Sequence, residues 1–190
     1  VKNTPYSGPK YRVAVGKFEN RSPYMNGIFS DGTDKLGMQA QTNLAAHVAM
    51  SNRFVVVDRQ VMEEIAKEAQ ISGQNQALTG AQVVLTGAVT EFGRREVGTV
   101  GLGGILQRSR TQVAYAKVTV NVVDVRTSQI VYSVQGAGEF DLTNEHVLGF
   151  GSEAGYDATL TDKVLNLAMI EVVNRLVEGL ESNQWKPTAE

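Results

Sequence analysis

Two histidines and twenty acidic side chains are the groups through which this 190-residue chain could do acid–base or metal chemistry, and cysteine is absent. Without cysteine there are no disulfides, no thiolate nucleophile and no thiolate metal site. His47 and His146 lack the His/Asp/Glu spacing of a metal cluster and are expected on a helix surface and in a loop. Glu63 and Glu64 are adjacent, so on a helix they do not face one another and read as solvated. Asp58 reads as a helix cap. No nucleophile, base and orienting acid assemble locally, so no catalytic residue, metal or cofactor is expected. Gly98, Gly101, Gly103 and Gly104 form neither a dinucleotide fingerprint nor a Walker loop. Arg94, Arg95, Arg108 and Arg110 lack the interleaved aromatics that hold single-stranded nucleic acid. With 18 basic against 20 acidic side chains the net charge is −2, and no Lys/Arg block offsets it, so nucleic acid is not an expected partner.

The elements that would position these side chains follow from periodicity. Apolar residues at 42% and charged residues at 20% suit a folded chain. Tyr11, Val13 and Val15 alternate as a first strand over 11–15, followed by a Gly/Asn-rich loop over 19–32. Leu36, Ala40, Leu44 and Val48 form one helical stripe over 35–50. A short strand over 54–57 leads to a helix that Asp58 caps and that runs to about Gln70, with Val61, Met62, Ile65 and Ala69 as its buried face. Strands are expected over 83–92 and 117–125, the latter with Val118, Val120 and Val122 on one side. Arg126 to Gln129 turn the chain into a hairpin partner over 130–134. A last helix over 161–179 has Thr161 as cap, Leu165, Met169, Val172 and Leu176 as stripe, and Gly179 as exit. Gln184 onward, with Pro187, reads as a tail. Strands and helices in this order predict an α/β fold.

Two stretches, 93–116 and 135–157, are far longer than the usual four-to-six-residue connection. The arms 94–104 and 107–116 each have the length of a tilted membrane β-strand. Val113 and Tyr115 alternate with Gln112, Ala114 and Ala116. The stretch 137–157 can form a second hairpin, but Glu139, Asp141, Glu145 and Glu153 would need an aqueous lumen or rim. No apolar run is long enough for a spanning helix, a test that does not address strands. On pattern alone, soluble extended arms compete with membrane hairpins.

Val13-Ala14-Val15, the run Arg53-Phe54-Val55-Val56-Val57-Asp58-Arg59-Gln60 and the segment 118–128, in that order, resemble the curli secretion channel family over roughly 11–180. The resemblance implies a compact CsgG-like periplasmic α/β domain, with a mixed sheet, helices and two long β-hairpins, flanked by tails over 1–10 and 181–190. It implies that 93–116 and 135–157 are the hairpins that a homo-oligomeric ring, a nonamer in the family, closes into one outer-membrane barrel. Closure would remove the exposed edges that two isolated hairpins leave. An acyl anchor on an N-terminal Cys is also implied; that Cys either precedes the sequence shown or is missing from this form. The family's constriction loop maps its tyrosine to Tyr24 and its phenylalanine to Phe29. Ile28 occupies the asparagine position, with Asn26 nearby as a polar substitute. The implied function is non-enzymatic export of unfolded protein or peptide, curli-like in class, by passive conduction. Periplasmic or extracellular accessory proteins would be its partners. The alternative is an oligomeric periplasmic scaffold for a surface organelle or envelope complex, without a pore.

Overall fold

The computed structural model describes residues 3–24, 33–59, 61–73, 79–99, 109–142 and 153–188. Helix α1 (Lys35–Met50) opens at Asp34, whose carboxylate accepts the Gly37 N–H at 2.7 Å and satisfies one of the first turn's orphan donors. Leu36, Ala40, Leu44 and Val48 are all buried, as their four-residue spacing requires. Strand β1 (Tyr11–Asn20) pairs in parallel with β2 (Phe54–Val56) and with β3 (Val83–Thr99). It runs past Gly16, where the alternation ends, because a register irregularity between Val15 and Phe18 turns the Phe18 ring into the core. Strand β4 (Ser109–Asp124) lies antiparallel to β3, and β5 (Ile130–Asp141) antiparallel to β4. The mixed sheet therefore has the order β2-β1-β3-β4-β5.

Helix α1 packs on β1, β2 and β3, helix α3 (Glu153–Glu181) packs on β4 and β5, and the two helices meet. One core results, with Val118, Val120 and Val122 of β4 facing Leu165, Met169, Val172 and Leu176 of α3. Each fully buried side chain of this size contributes about 1.5–3 kcal/mol relative to exposure. Helix α3 comes so close to β5 that a Cβ on Gly136 would lie 2.3 Å from the Ala168 carbonyl, and one on Gly138 2.5 Å from that of Val164.

Several expectations are corrected. Asp58 does not cap a helix: α2 (Met62–Ile71) starts after Val61, which makes no side-chain cap bond. No residue of α2 is buried, and Val61 and Ile65 are 41% and 43% exposed. An apolar stripe is buried only where a surface meets it, and α2 has no extended packing against another described element. Thr161 lies inside α3 and is buried, and residues 153–157, expected in the return arm of a hairpin, are helical. The rest of the expected second turn, 143–152, lies outside the described residues. Gly179 is also within α3, and a Cβ there would meet the Tyr132 ring at 2.7 Å. It permits a close approach and does not mark the helix exit.

The segment after α3 does not trail. Trp185 is buried, donates its indole N–H to the Leu176 carbonyl at 3.0 Å, and stacks on Phe54 and Tyr132 at 6.2 and 6.1 Å. The N-terminal residues are tied down too, with the Asn3 N–H donated to the Met50 carbonyl at 2.8 Å and the Arg53 guanidinium 4.8 Å over the Tyr6 ring.

Candidate functional site

The loop between β1 and α1 is held at both stems by short polar side chains. Asp34 spans them: one carboxylate oxygen accepts the Asn20 N–H at 2.8 Å while the other caps α1 through Gly37. The Asn20 amide donates to the Tyr24 carbonyl at 2.6 Å, and its oxygen accepts from the Ser22 N–H at 3.0 Å and the Ser22 hydroxyl at 2.6 Å. The Arg21 N–H is donated to the Val89 carbonyl at 2.9 Å, carrying the contact with β3 beyond β1. Tyr24 is half-buried, and its ring meets that of Phe92 with centroids 4.6 Å apart and planes tilted by 52°. A tilted pair at this separation adds attraction beyond the buried area. Tyr24 thus stands at the root of the loop, braced by β3 through its ring and by Asn20 through its carbonyl. Asn26, Ile28 and Phe29 lie outside the described residues.

Asn20, Asp34 and Phe92 were not singled out by pattern. Asp34 carries a readable signal, an acid immediately before an apolar-periodic run, which marks an N-cap. Asn20 and Phe92 carry none, because each acts on residues that only the fold brings near.

The first long stretch is a continuation of the sheet. The β3–β4 ladder runs without a break in strand from Val83 opposite Asp124 out to Thr99 opposite Ser109, with one irregularity between Val89 and Glu91. The third strand, β5, follows as far as Asp141 opposite Val113, so the outermost part is a two-stranded ribbon. Residues 94–98 on this ribbon are exposed. At its base, where the sheet still has three strands, Arg95 of β3 donates to Glu139 of β5 and lies 5.5 Å over the Tyr115 ring, and Lys117 of β4 meets Glu91 of β3 at 2.7 Å. Residues 100–108, which include Arg108 and most of the glycine run, lie outside the described residues.

The remaining chemical candidates have structural surroundings. His47 belongs to a polar seam between α1 and α3, its Nε2 being 2.8 Å from the Asn166 side-chain oxygen. The Asn166 amide donates to Asp162 at 3.0 Å, so the histidine nitrogen is the donor to Asn166. Gln39 and Asn43 also donate to Asp162, each at 3.3 Å. Glu63 and Glu64 sit exposed in the first turn of α2, where negative charge suits the helix dipole. Among the described residues no group of three or more His, Cys, Asp or Glu could hold a metal ion, and no helix is long and apolar enough to cross a membrane.

The model of the family described as "Curli production assembly/transport component CsgG" matches residues 1–189. The chain is 52% identical over 185 residues to the Neisseria meningitidis serogroup B protein named "Putative lipoprotein NMB1126/NMB1164", covering 97% of this chain and 83% of that protein. Among solved structures, XCC0632 from Xanthomonas campestris aligns over 97% of this chain and 95% of its own, with 13% identity and a TM-score of 0.55. That likeness concerns the fold alone. A PelC dodecamer from Paraburkholderia phytofirmans aligns over 88% of this chain and 92% of its own, with 18% identity and a TM-score of 0.43. The family match spans the pinned loop, the ribbon and both packed termini, and the chain therefore belongs to the curli production assembly/transport component family, CsgG.

Proposed function

We propose that this protein is a subunit of an oligomeric outer-membrane channel that exports unfolded protein or peptide by passive conduction. It is a non-catalytic periplasmic α/β domain held at the outer membrane. The observation that carries the reading is the β3–β4 ribbon, whose ladder continues from the core out to Thr99 and Ser109. A lone ribbon leaves two unpaired edges, and lipid tolerates strands only when every backbone group is paired. Neighbouring subunits therefore supply the missing strands, from 93–116 of each copy, and a ring of them closes the barrel. Nine copies, the number typical of the family, is the count to test.

Within the ring the β1–α1 loop narrows the path. Tyr24, Asn26, Ile28 and Phe29 of each copy form the constriction, with Tyr24 set at its base by Asn20 and Phe92. Repeated aromatic surfaces contact an extended chain weakly and in many registers, which permits sliding while restricting leakage. Direction comes from the passenger's partners, because a passive path supplies none. The cargo class is a secreted, unfolded polypeptide of curli-like type.

A pore-free periplasmic scaffold is the second reading, favoured by the helical conformation of residues 153–157, where a membrane hairpin requires strand. Single-channel recording in planar bilayers separates the two, using the full-length lipidated protein with Tyr24→Ala and Phe29→Ala. A discrete conductance that rises on either truncation is expected. Verified membrane-inserted oligomers without conductance would make the scaffold the correct account.

A further inference from the structure

Among the described residues strand β5 is an edge of the sheet, and an edge strand offers its outward N–H and C=O groups to any extended chain. Outward groups alternate along a strand, so residues 135 and 137 turn both their backbone groups away from β4. At this point α3 intervenes. The Glu171 carboxylate accepts the Ala137 N–H at 2.6 Å, and the Arg175 guanidinium donates to the Gln135 carbonyl at 2.7 Å. Glu171 and Arg175 are themselves an i,i+4 ion pair at 2.6 Å, each partly exposed. One carboxylate and one guanidinium thus take up the acceptor and donor positions that a peptide of a sixth strand would fill opposite Gly136. Directly beside them an open groove of about 480 Å³ runs along Tyr132, Ser133, Val134 and Gln135, with Arg175 and Glu178 on its α3 side. The groove gives an extended strand room to approach, and the ion pair occupies the hydrogen-bonding positions at which it would dock.

We propose that the Glu171–Arg175 pair is an edge guard that closes β5 to strand addition by an extended segment of a second copy of this chain. The choice of occupant rests on the channel reading, in which copies stand side by side at high local concentration. There an unguarded edge would let domains join through their sheets in place of the ring contacts.

The test uses the soluble, unlipidated chain without detergent, so it is read independently of ring formation or conductance. Sedimentation velocity across a concentration series compares wild type, the Glu171→Ala/Arg175→Ala double variant, and that double variant carrying Ala137→Pro. Proline at an outward-facing edge position removes the docking donor without breaking the ladder to β4. Expected are an additional concentration-dependent species in the double variant and its loss on adding Ala137→Pro. Unchanged sedimentation of a double variant shown folded by circular dichroism overturns the proposal, as does association that Ala137→Pro leaves intact. If the double variant does not fold, amide exchange in Glu171→Ala decides. The Ala137 amide should exchange on the order of tenfold faster, while the inward-facing Gly136 and Gly138 amides stay protected. Unchanged Ala137 exchange sinks the guard. Absence of conductance in the lipidated protein would fail the channel reading while leaving this comparison readable.

Discussion

Asp124 shows how much a single side chain organises here. It is buried where β4 turns toward β5, accepts the Arg126 and Thr127 N–H groups at 2.9 Å each, and also takes the Thr188 hydroxyl from beyond α3. The Thr188 hydroxyl first, then the Thr127 N–H, hold its carboxyl at a pKa of about 2, below the ordinary 3.8, against the opposing effect of burial. A depressed carboxylate pKa means that the fold favours the ionised form. Its contribution is therefore complete above pH 3.8 and is lost as pH falls toward about 2. Thermal unfolding of wild type and Asp124→Asn between pH 2 and 6 should show the variant less stable at the upper end, with the gap closing below pH 3.8. A gap independent of pH would disprove the role. Tyr24 belongs at the same scale: its ring has a fixed neighbour in Phe92, so the Tyr24→Ala conductance measurement perturbs a braced residue.

Among the elements, α1 and α2 carry comparable apolar spacing with opposite outcomes. Leu44 of α1 is fully buried against the sheet, whereas Ile65 of α2 is 43% exposed. Periodicity states which face of a helix is apolar, not whether anything lies against it. Leu44→Ala should cost about 2–5 kcal/mol, as a large-to-small change in a packed core does. Ile65→Ala should stay within about 0.5 kcal/mol in the monomer, the range of surface substitutions. Chemical denaturation of both variants checks the contrast, and an equal loss would mean that α2 is packed.

For the whole molecule, the ribbon and the domain are separable in energetic terms. Residues 94–98, leading out along β3, are exposed. Replacing residues 98–110 with an Asn-Gly turn closes the hairpin on Val97 opposite Thr111, and preserves the Gln112 carbonyl that accepts the Leu142 N–H at 2.9 Å on the β5 side. The shortened protein should keep its melting temperature within a few degrees and lose the channel, read as loss of single-channel conductance by the lipidated form in planar bilayers. Continued conductance would remove the ribbon from the barrel and with it the central support for the channel.

The sequence alone determined the α/β class, the α1 stripe, the β4 face and the α3 stripe, because 3.6- and 2-residue periodicities are local consequences of backbone geometry. It also carried the family resemblance, which the match over residues 1–189 bears out. Tertiary structure decided the rest. Whether α2 is buried, why Gly136 and Gly179 must be glycine, and how Trp185 and Thr188 bind the last residues to the core all depend on surfaces far away in the chain. The loop stems depend on the same kind of contact, since Asn20 finds Asp34 and Tyr24 finds Phe92 only after β1, α1 and β3 have packed. Hydrogen bonds and ring contacts between residues distant in sequence leave no periodic trace, and these are what position the candidate site.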